Sequence, residues 1–330
     1  MVVFERSGSV GGRAATRRLH GCIVDHGAQY LRLPNELPDL RRLVLEDLSR
    51  EGLTDIGRPV WPFDLHNHIR VGDAHQNTVP KWTYLGGLHL LSHSLAAGLE
   101  VRLNTPVSRL DRVPGGYCLL DETGMALGEA ERVLVAVPAP QAIDLLQGGA
   151  GRSERADAAL ALLKTVTYQP MLTFILGYRR PKDGAIFAGG TASNPRPYYA
   201  LVNSDRHHDI SWLAVENDKG RTRTPDDLLA LVAQMAVPFS ERYSETPTTA
   251  LLANVTGQVR SLLTIDLGTP LWYDVTRWRY ARPTQLLDLK ELNITHDGLC
   301  FVGDYTAGWR LHLALQAGLD VAPIVVGPTL

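Results

Sequence analysis

Apolar and polar positions along the chain follow two alternating periods, one strand-like and one helical. Val2-Val3-Phe4-Glu5 is a short β-branched and aromatic run ending in an acid. The small-residue turn Ser7-Gly8-Ser9 and then Gly11-Gly12-Arg13 follow it, so the pattern predicts a strand entering a glycine loop. Between 37 and 51, Leu37, Leu40, Leu43, Val44 and Leu48 recur at helical spacing with charges between them. Residues 55–85 break into short alternating pieces rich in Trp, Pro, His and Thr, as in a small antiparallel sheet. Tyr84-Leu85-Gly86-Gly87 opens a predicted helix over 88–99, and Val101-Arg102-Leu103 and Thr105-Pro106-Val107 read as strands. A hairpin is predicted over 117–120 and 125–127. The near-continuous apolar run at 132–138 has the character of a buried parallel strand.

The second half predicts a helix at 156–163, strands around 166–176, 198–203 and 212–216, and a helix over 226–236. Trp278-Arg279-Tyr280-Ala281 is strand-like, with Trp278 and Tyr280 on one face. The chain then runs through the apolar 299–302 and Gly303-Asp304 into a helical segment, 311–325. Both ends thus read as one α/β layer, and the middle as an inserted β-rich region.

A length of 330 residues with 45% hydrophobic residues suits one large core or two smaller ones sharing a cleft. Formal net charge is -2 and the basic residues are scattered, which argues against nucleic acid or an anionic membrane and for a small-molecule partner. Cys22, Cys118 and Cys300 lie far apart and form no CxxC, so neither a disulfide framework nor a structural zinc is expected, and a reduced cytoplasm suits them. No stretch approaches the ~20 apolar residues of a membrane span. His66, His68 and His75 read as a polar loop rather than a metal site, for want of an acid or cysteine at ligand spacing. Without a GxSxG elbow, a P-loop lysine motif or HExxH, hydrolase, kinase and zincin chemistries have no anchor.

Glu5, at the end of a parallel-type strand, stands where dinucleotide-binding folds place the acid that accepts hydrogen bonds from ribose hydroxyls. Gly11 and Gly12 would let backbone amides approach a pyrophosphate, with Arg13 supplying charge. These segments, with Ala14-Ala15-Thr16-Arg17 and Asp25-His26-Gly27-Ala28-Gln29-Tyr30, resemble renalase-like flavoproteins of the monoamine-oxidase-type FAD superfamily. The resemblance continues through 84–87, 101–107, 133–141, 277–283 and 303–318.

That resemblance implies an α/β fold: a Rossmann-like FAD-binding domain from 1–33, 86–140 and 295–330, and an inserted β-rich α+β substrate domain from 34–85 and 141–294. It places Glu5 on the adenosine ribose, Gly11, Gly12 and Arg13 on the pyrophosphate side, and Val107 at the adenine. Gly27, Ala28, Gln29 and Tyr30 would line the flavin ring. Gly303 and Asp304 would lie at its ribityl or phosphate portion, and Arg310 near the ring carbonyl, where a helix start favours negative charge. His26, Gln29, Tyr30, Trp278 and Tyr280 are the expected substrate pocket.

Two positions depart from the family pattern, His312 where an acid is usual and Leu313 where a glycine is usual. No GxGxxG occurs either. The family's first strand, phosphate loop and helix, roughly 30 residues, are expected upstream of Val2, with that strand between 2–4 and 301–303, so the reading frame is expected to be a truncated one. The implied activity is hydride transfer from a small planar substrate, foremost dihydronicotinamide isomers of NAD(P)H, to FAD and then to dioxygen. The alternatives are a flavin amine oxidase or desaturase of the same superfamily, which would call on a lysine near the flavin, and a noncatalytic scaffold that has lost FAD.

Overall fold

The computed structural model describes residues 1–182, 185–293 and 297–327, so 295, 296 and 328–330 of the expected C-terminal segment lie outside the described residues. A six-stranded sheet forms its largest layer. The strand order is Trp272–Pro283, Tyr168–Arg179, Leu228–Met235, Ile210–Val215, Ala200–Asn203 and Val60–Phe63, antiparallel except for the last pair.

Side-chain alternation divides this sheet into two faces. Leu172, Phe174, Leu176 and Tyr178 on one strand, with Leu229, Leu231, Ala233 and Met235 on its neighbour, pack against Leu251, Val255, Val259 and Leu262 of the helix Thr248–Leu263. Ile175, Ala230 and Val232 point the other way, onto Cys22 and Val24 of the hairpin Thr16–Leu19/Cys22–Asp25.

Two expectations change here. Residues 226–236, expected as a helix, contain the strand Leu228–Met235. Its continuous Leu, Ala and Val run has no period because both faces are covered, which makes such a strand resemble a buried helix in sequence. The helix Thr248–Leu263 was not expected at all, although its buried positions recur at helical spacing.

The parallel pairs Val2–Phe4 with Glu100–Arg102 and Val133–Val135 with Leu299–Phe301 form the α/β layer. Among the described residues, Val2–Phe4 and Leu299–Phe301 have one strand partner each. Leu134 is 40% exposed, so the apolar run at 132–138 is parallel but not buried on both faces. Residues 105–107 are not a strand: they form a loop tied to the first strand by the Thr105 amide, which donates to the Glu5 carbonyl at 2.9 Å. Within 55–85 only Trp82–Tyr84 forms the small antiparallel pair, with Leu53–Asp55, while Val60–Phe63 joins the large sheet.

The helices Ala139–Gly148 and Glu154–Leu163 share one core with Leu110, Leu119, Val135, Leu299 and Phe301. The expected boundary at 140/141 cuts through that core. Val166 belongs to the same cluster.

Candidate active site

The hairpin Thr16–Leu19/Cys22–Asp25 delivers residues 26–30 to the seam between the layers. Their backbone lies tight on the glycine loop. The Ala28 amide donates to the Arg13 carbonyl at 2.9 Å, and a Cβ built on Gly27 would stand 2.0 Å from that same oxygen. From the sheet, Gln234 Nε2 donates to the Gly27 carbonyl at 2.7 Å.

Beneath this turn, Asp25, Glu216, Lys219 and Arg223 form a fully buried ion cluster. Lys219 Nζ reaches Asp25 at 3.0 Å and Glu216 at 2.7 Å, and Arg223 pairs with both acids. Burial opposes ionisation of Asp25, yet Lys219, Arg223 and hydrogen bonds from Leu88 and Thr16 hold its carboxyl well below the ordinary range. For Glu216 burial outweighs the same cations, and its pKa is raised. Two cations and two acids leave the cluster formally neutral, as a cluster so deep requires.

Gln29 belongs to this cluster more than to the cleft. Its Nε2 donates to the Asp25 carbonyl at 2.5 Å, and its Oε1 faces Lys219 Nζ at 3.4 Å. Tyr30 lines the cleft and packs against Trp212, ring centroids 6.1 Å apart.

Even-numbered residues of the strand Trp272–Pro283 build the opposite wall. Thr276 Oγ1 lies 2.9 Å from His26 Nδ1, and Trp278 stacks on the His26 ring at 5.1 Å and 21°. Tyr280 meets Tyr168 edge-on at 5.6 Å, and Arg282 lies over Trp309 at 4.4 Å. The same alternation that singled out Trp278 and Tyr280 would have found Thr276 and Arg282 two positions to either side.

Arg13 pairs with Asp304 and also donates from Nη1 to the Tyr280 carbonyl at 2.9 Å. Tyr168 donates to the other Asp304 oxygen at 2.6 Å. One buried carboxylate thus ties the glycine loop, the long central strand and the C-terminal segment together. Tyr168 was missed from sequence, where a tyrosine in an apolar strand carries no signal of its partner. Its phenol is pushed up by burial and then by the Asp304 hydrogen bond, so it stays protonated as a donor.

These groups line a single cleft of about 3210 Å³ that includes Glu5, Gly11, Gly12, Arg13, His26, Gly27, Ala28, Gln29, Tyr30, Val107, Trp278, Tyr280, Asp304 and Arg310. Gly303 is set back from it, where a Cβ would strike the Tyr305 ring at 2.5 Å. The chemistry of the lining suits an FAD. Gly11 and Gly12 have φ of 121° and 50°, and a Cβ on Gly12 would meet nothing within 4 Å, so the loop backbone is bare toward the cleft. The Glu5 Oε1 accepts from the Ser7 amide and hydroxyl, which leaves Oε2 to accept from a ribose. Arg32 Nε, Trp212 Nε1 and Arg282 Nε on the same lining are buried donors without a partner among the described residues.

Two cleft histidines are held neutral. Burial, then Arg17, lowers His26 to about 4, and burial, then Arg310 and Arg32, lowers His312 to about 4. Because their folded pKa values lie below the ordinary 6.5, the unfolded chain binds more protons between those values. Their contribution to stability is complete above the ordinary value and lost as pH falls toward the depressed one, by roughly 1.4 kcal/mol per unit for each group. Melting temperatures across this range should therefore fall on acidification, and less steeply in His312→Leu. An unchanged slope in that variant would show that His312 does not titrate on unfolding.

Residues 63–326 match the family described as flavin containing amine oxidoreductase, and residues 1–46 match the NAD(P)-binding Rossmann-like domain. The fold is shared with a protein described as a protoporphyrinogen oxidase from Exiguobacterium sp. 255-15, at 15% identity over 98% of this chain and 92% of that one, TM-score 0.72. It is shared with putrescine oxidase bound to putrescine, at 14% identity, 98% and 93% coverage and TM-score 0.67. Cyclohexylamine oxidase from Brevibacterium oxydans IH-35A is similar at 11% identity, 98% and 93% coverage and TM-score 0.70.

Proposed function

Since the chain belongs to the flavin containing amine oxidoreductase family, and is an FAD-dependent oxidoreductase on that ground, we propose that it is a renalase-like oxidase of dihydronicotinamide isomers of NAD(P)H. The observation that carries this reading is the flat aromatic wall, His26 stacked on Trp278 with Tyr280 beyond it, on a cleft whose histidines are neutral. When bound, FAD supplies the two-electron chemistry, taking up a hydride and returning the electrons to dioxygen. A hydride donor needs to be held flat and dry more than it needs a general base.

In this assignment Glu5 holds the adenosine ribose, Gly11, Gly12 and Arg13 the pyrophosphate side, and Val107 the adenine. Gly27, Ala28 and Tyr30 border the ring, with Arg310 at its carbonyl edge. Asp304 acts through Arg13 and Tyr168, fixing the loop and not only touching the cofactor. Gln29 is a positioning residue, since its amide is engaged by Asp25 and Lys219. We assign residues 1–33, 86–140 and 295–330 to the cofactor domain, extended to about Val166 by the shared core.

The second reading is amine oxidation, favoured by the family and by Lys81, which lines the cleft at 3% exposure with its ammonium pKa lowered by burial. Oxygen uptake by the flavin-loaded chain separates the two. We expect uptake with isomeric dihydronicotinamides and none with putrescine or cyclohexylamine. Uptake with an amine alone would replace the first reading by the second.

A further inference from the structure

Most arginines of this chain that come near the core have an acid: Arg13 has Asp304, Arg112 has Asp297, Arg196 has Asp218 and Arg223 has Asp25. On the cleft lining, Arg32, Arg206, Arg282 and Arg310 have neither a carboxylate nor a hydrogen-bonded acceptor among the described residues. Arg282 and Arg310 both lie over the Trp309 ring, at 4.4 and 5.6 Å from its centroid. Trp309 is itself 49% exposed. The Arg282 Nε is buried without an acceptor, and after burial the nearest influences on that guanidinium are the like charges of Arg206 and Arg310.

Arg206 is held in the left-handed region at φ 62°, a conformation that costs a non-glycine residue about 1 kcal/mol. The turn around it is fixed by Asp205, which accepts from the Asn203 side chain and from the Leu65 amide. A half-buried arginine stacked on Trp309 and facing the like charges of Arg206 and Arg310 is an arrangement that an oxyanion relieves. Asp304, an acid of the same lining, is already engaged by Arg13 and Tyr168.

We propose that Arg282 and Arg206, flanked by Arg32, form an oxyanion subsite that holds a phosphate or carboxylate of the substrate while its oxidisable ring lies against His26 and Trp278. The proposal deepens the hydride-oxidation reading and rests on it for the placement of the ring. It gives the substrate a negative charge at one end, which disfavours a protonated diamine in the same cleft by charge repulsion.

The test is calorimetric titration of the flavin-loaded full chain with inorganic pyrophosphate and, separately, succinate. We expect saturable binding of at least one of them. Pyrophosphate as the tighter ligand marks a phosphate-bearing substrate, and succinate a carboxylate-bearing one. Arg282→Met should weaken binding by about tenfold or more and Arg206→Met by several-fold, whereas Arg242→Met, whose guanidinium lies over Tyr243 away from the cleft, should not. Arg206 is exposed, so its variant carries the test if Arg282→Met fails to fold.

Three results would overturn the subsite: no binding to the loaded chain, binding only when FAD is absent, or equal weakening by Arg242→Met. The first two would leave the arginines without a substrate role or give them to the cofactor. Anion binding as expected, in a protein whose flavin no dihydronicotinamide reduces, would instead retire the nicotinamide assignment and keep the subsite.

Discussion

Replacing Asp25 by Asn is expected to lower the unfolding free energy by about 3–5 kcal/mol, the range for removing one partner from a buried ion group. Lys219, Arg223 and Glu216 around it are all buried, so the lost charge leaves two buried cations with one acid. Glu216 softens the effect in part, because the Asp25 charge is one of the influences that raise its pKa and its removal favours the Glu216 carboxylate. For a chain of this length the loss should appear as a fall in melting temperature on the order of 4–7 °C. Pairing Asp25→Asn with Arg223→Met, which restores charge balance, should recover part of it. A single variant as stable as the parent, or a double variant merely additive, would mean that the cluster does not act as a unit.

Gly27→Ala should be the most damaging change at the cleft. Its Cβ would stand 2.0 Å from the Arg13 carbonyl oxygen and 3.3 Å from the Trp278 ring, and both neighbours are fixed, one by the Ala28 amide and the other by stacking on His26. Neither can yield without opening the contact between the glycine loop and the 26–30 turn. We expect a destabilisation of about 3 kcal/mol or more and loss of flavin from the purified protein. Gly12→Ala provides the contrast. A Cβ there meets no atom within 4 Å, so its penalty comes from the positive φ alone, about 1 kcal/mol, and any larger effect on flavin content would come from the cofactor side. Equal flavin retention in the parent and in Gly27→Ala would remove this seam from the account.

Much of the architecture was legible because local chemistry and tertiary placement agree. The strand Val2–Phe4 with its glycine loop, the hairpin of Gly116–Leu120 with Ala126–Ala130 and the terminal helix Leu311–Val326 each stand where their residue types and bounding turns put them. Leu228–Met235 was not legible for the opposite reason: buried on both faces, it has no alternation to betray a strand, and its leucines and alanines favour helix in isolation.

The site divides in the same way. His26, Trp278 and Tyr280 could be named because they stand in motifs or on one strand face. The partners that fix their meaning could not. Tyr168 lies 136 residues from Asp304, and Lys219 lies 190 residues from Gln29, separations across which no pattern in the sequence operates. Gln29 is the instructive case. From sequence it reads as a flavin-side amide, and in the folded chain its side chain is drawn down onto Asp25 by the ion cluster behind it.

FAD-dependent oxidation of a planar, anionic hydride donor in this cleft can be followed by anaerobic titration of the flavin-loaded chain with an isomeric dihydronicotinamide dinucleotide, read by visible absorption. The flavin band should bleach stoichiometrically, with return of the colour on admitting dioxygen. Persistent colour with the dinucleotide, together with bleaching by putrescine or cyclohexylamine, would contradict it.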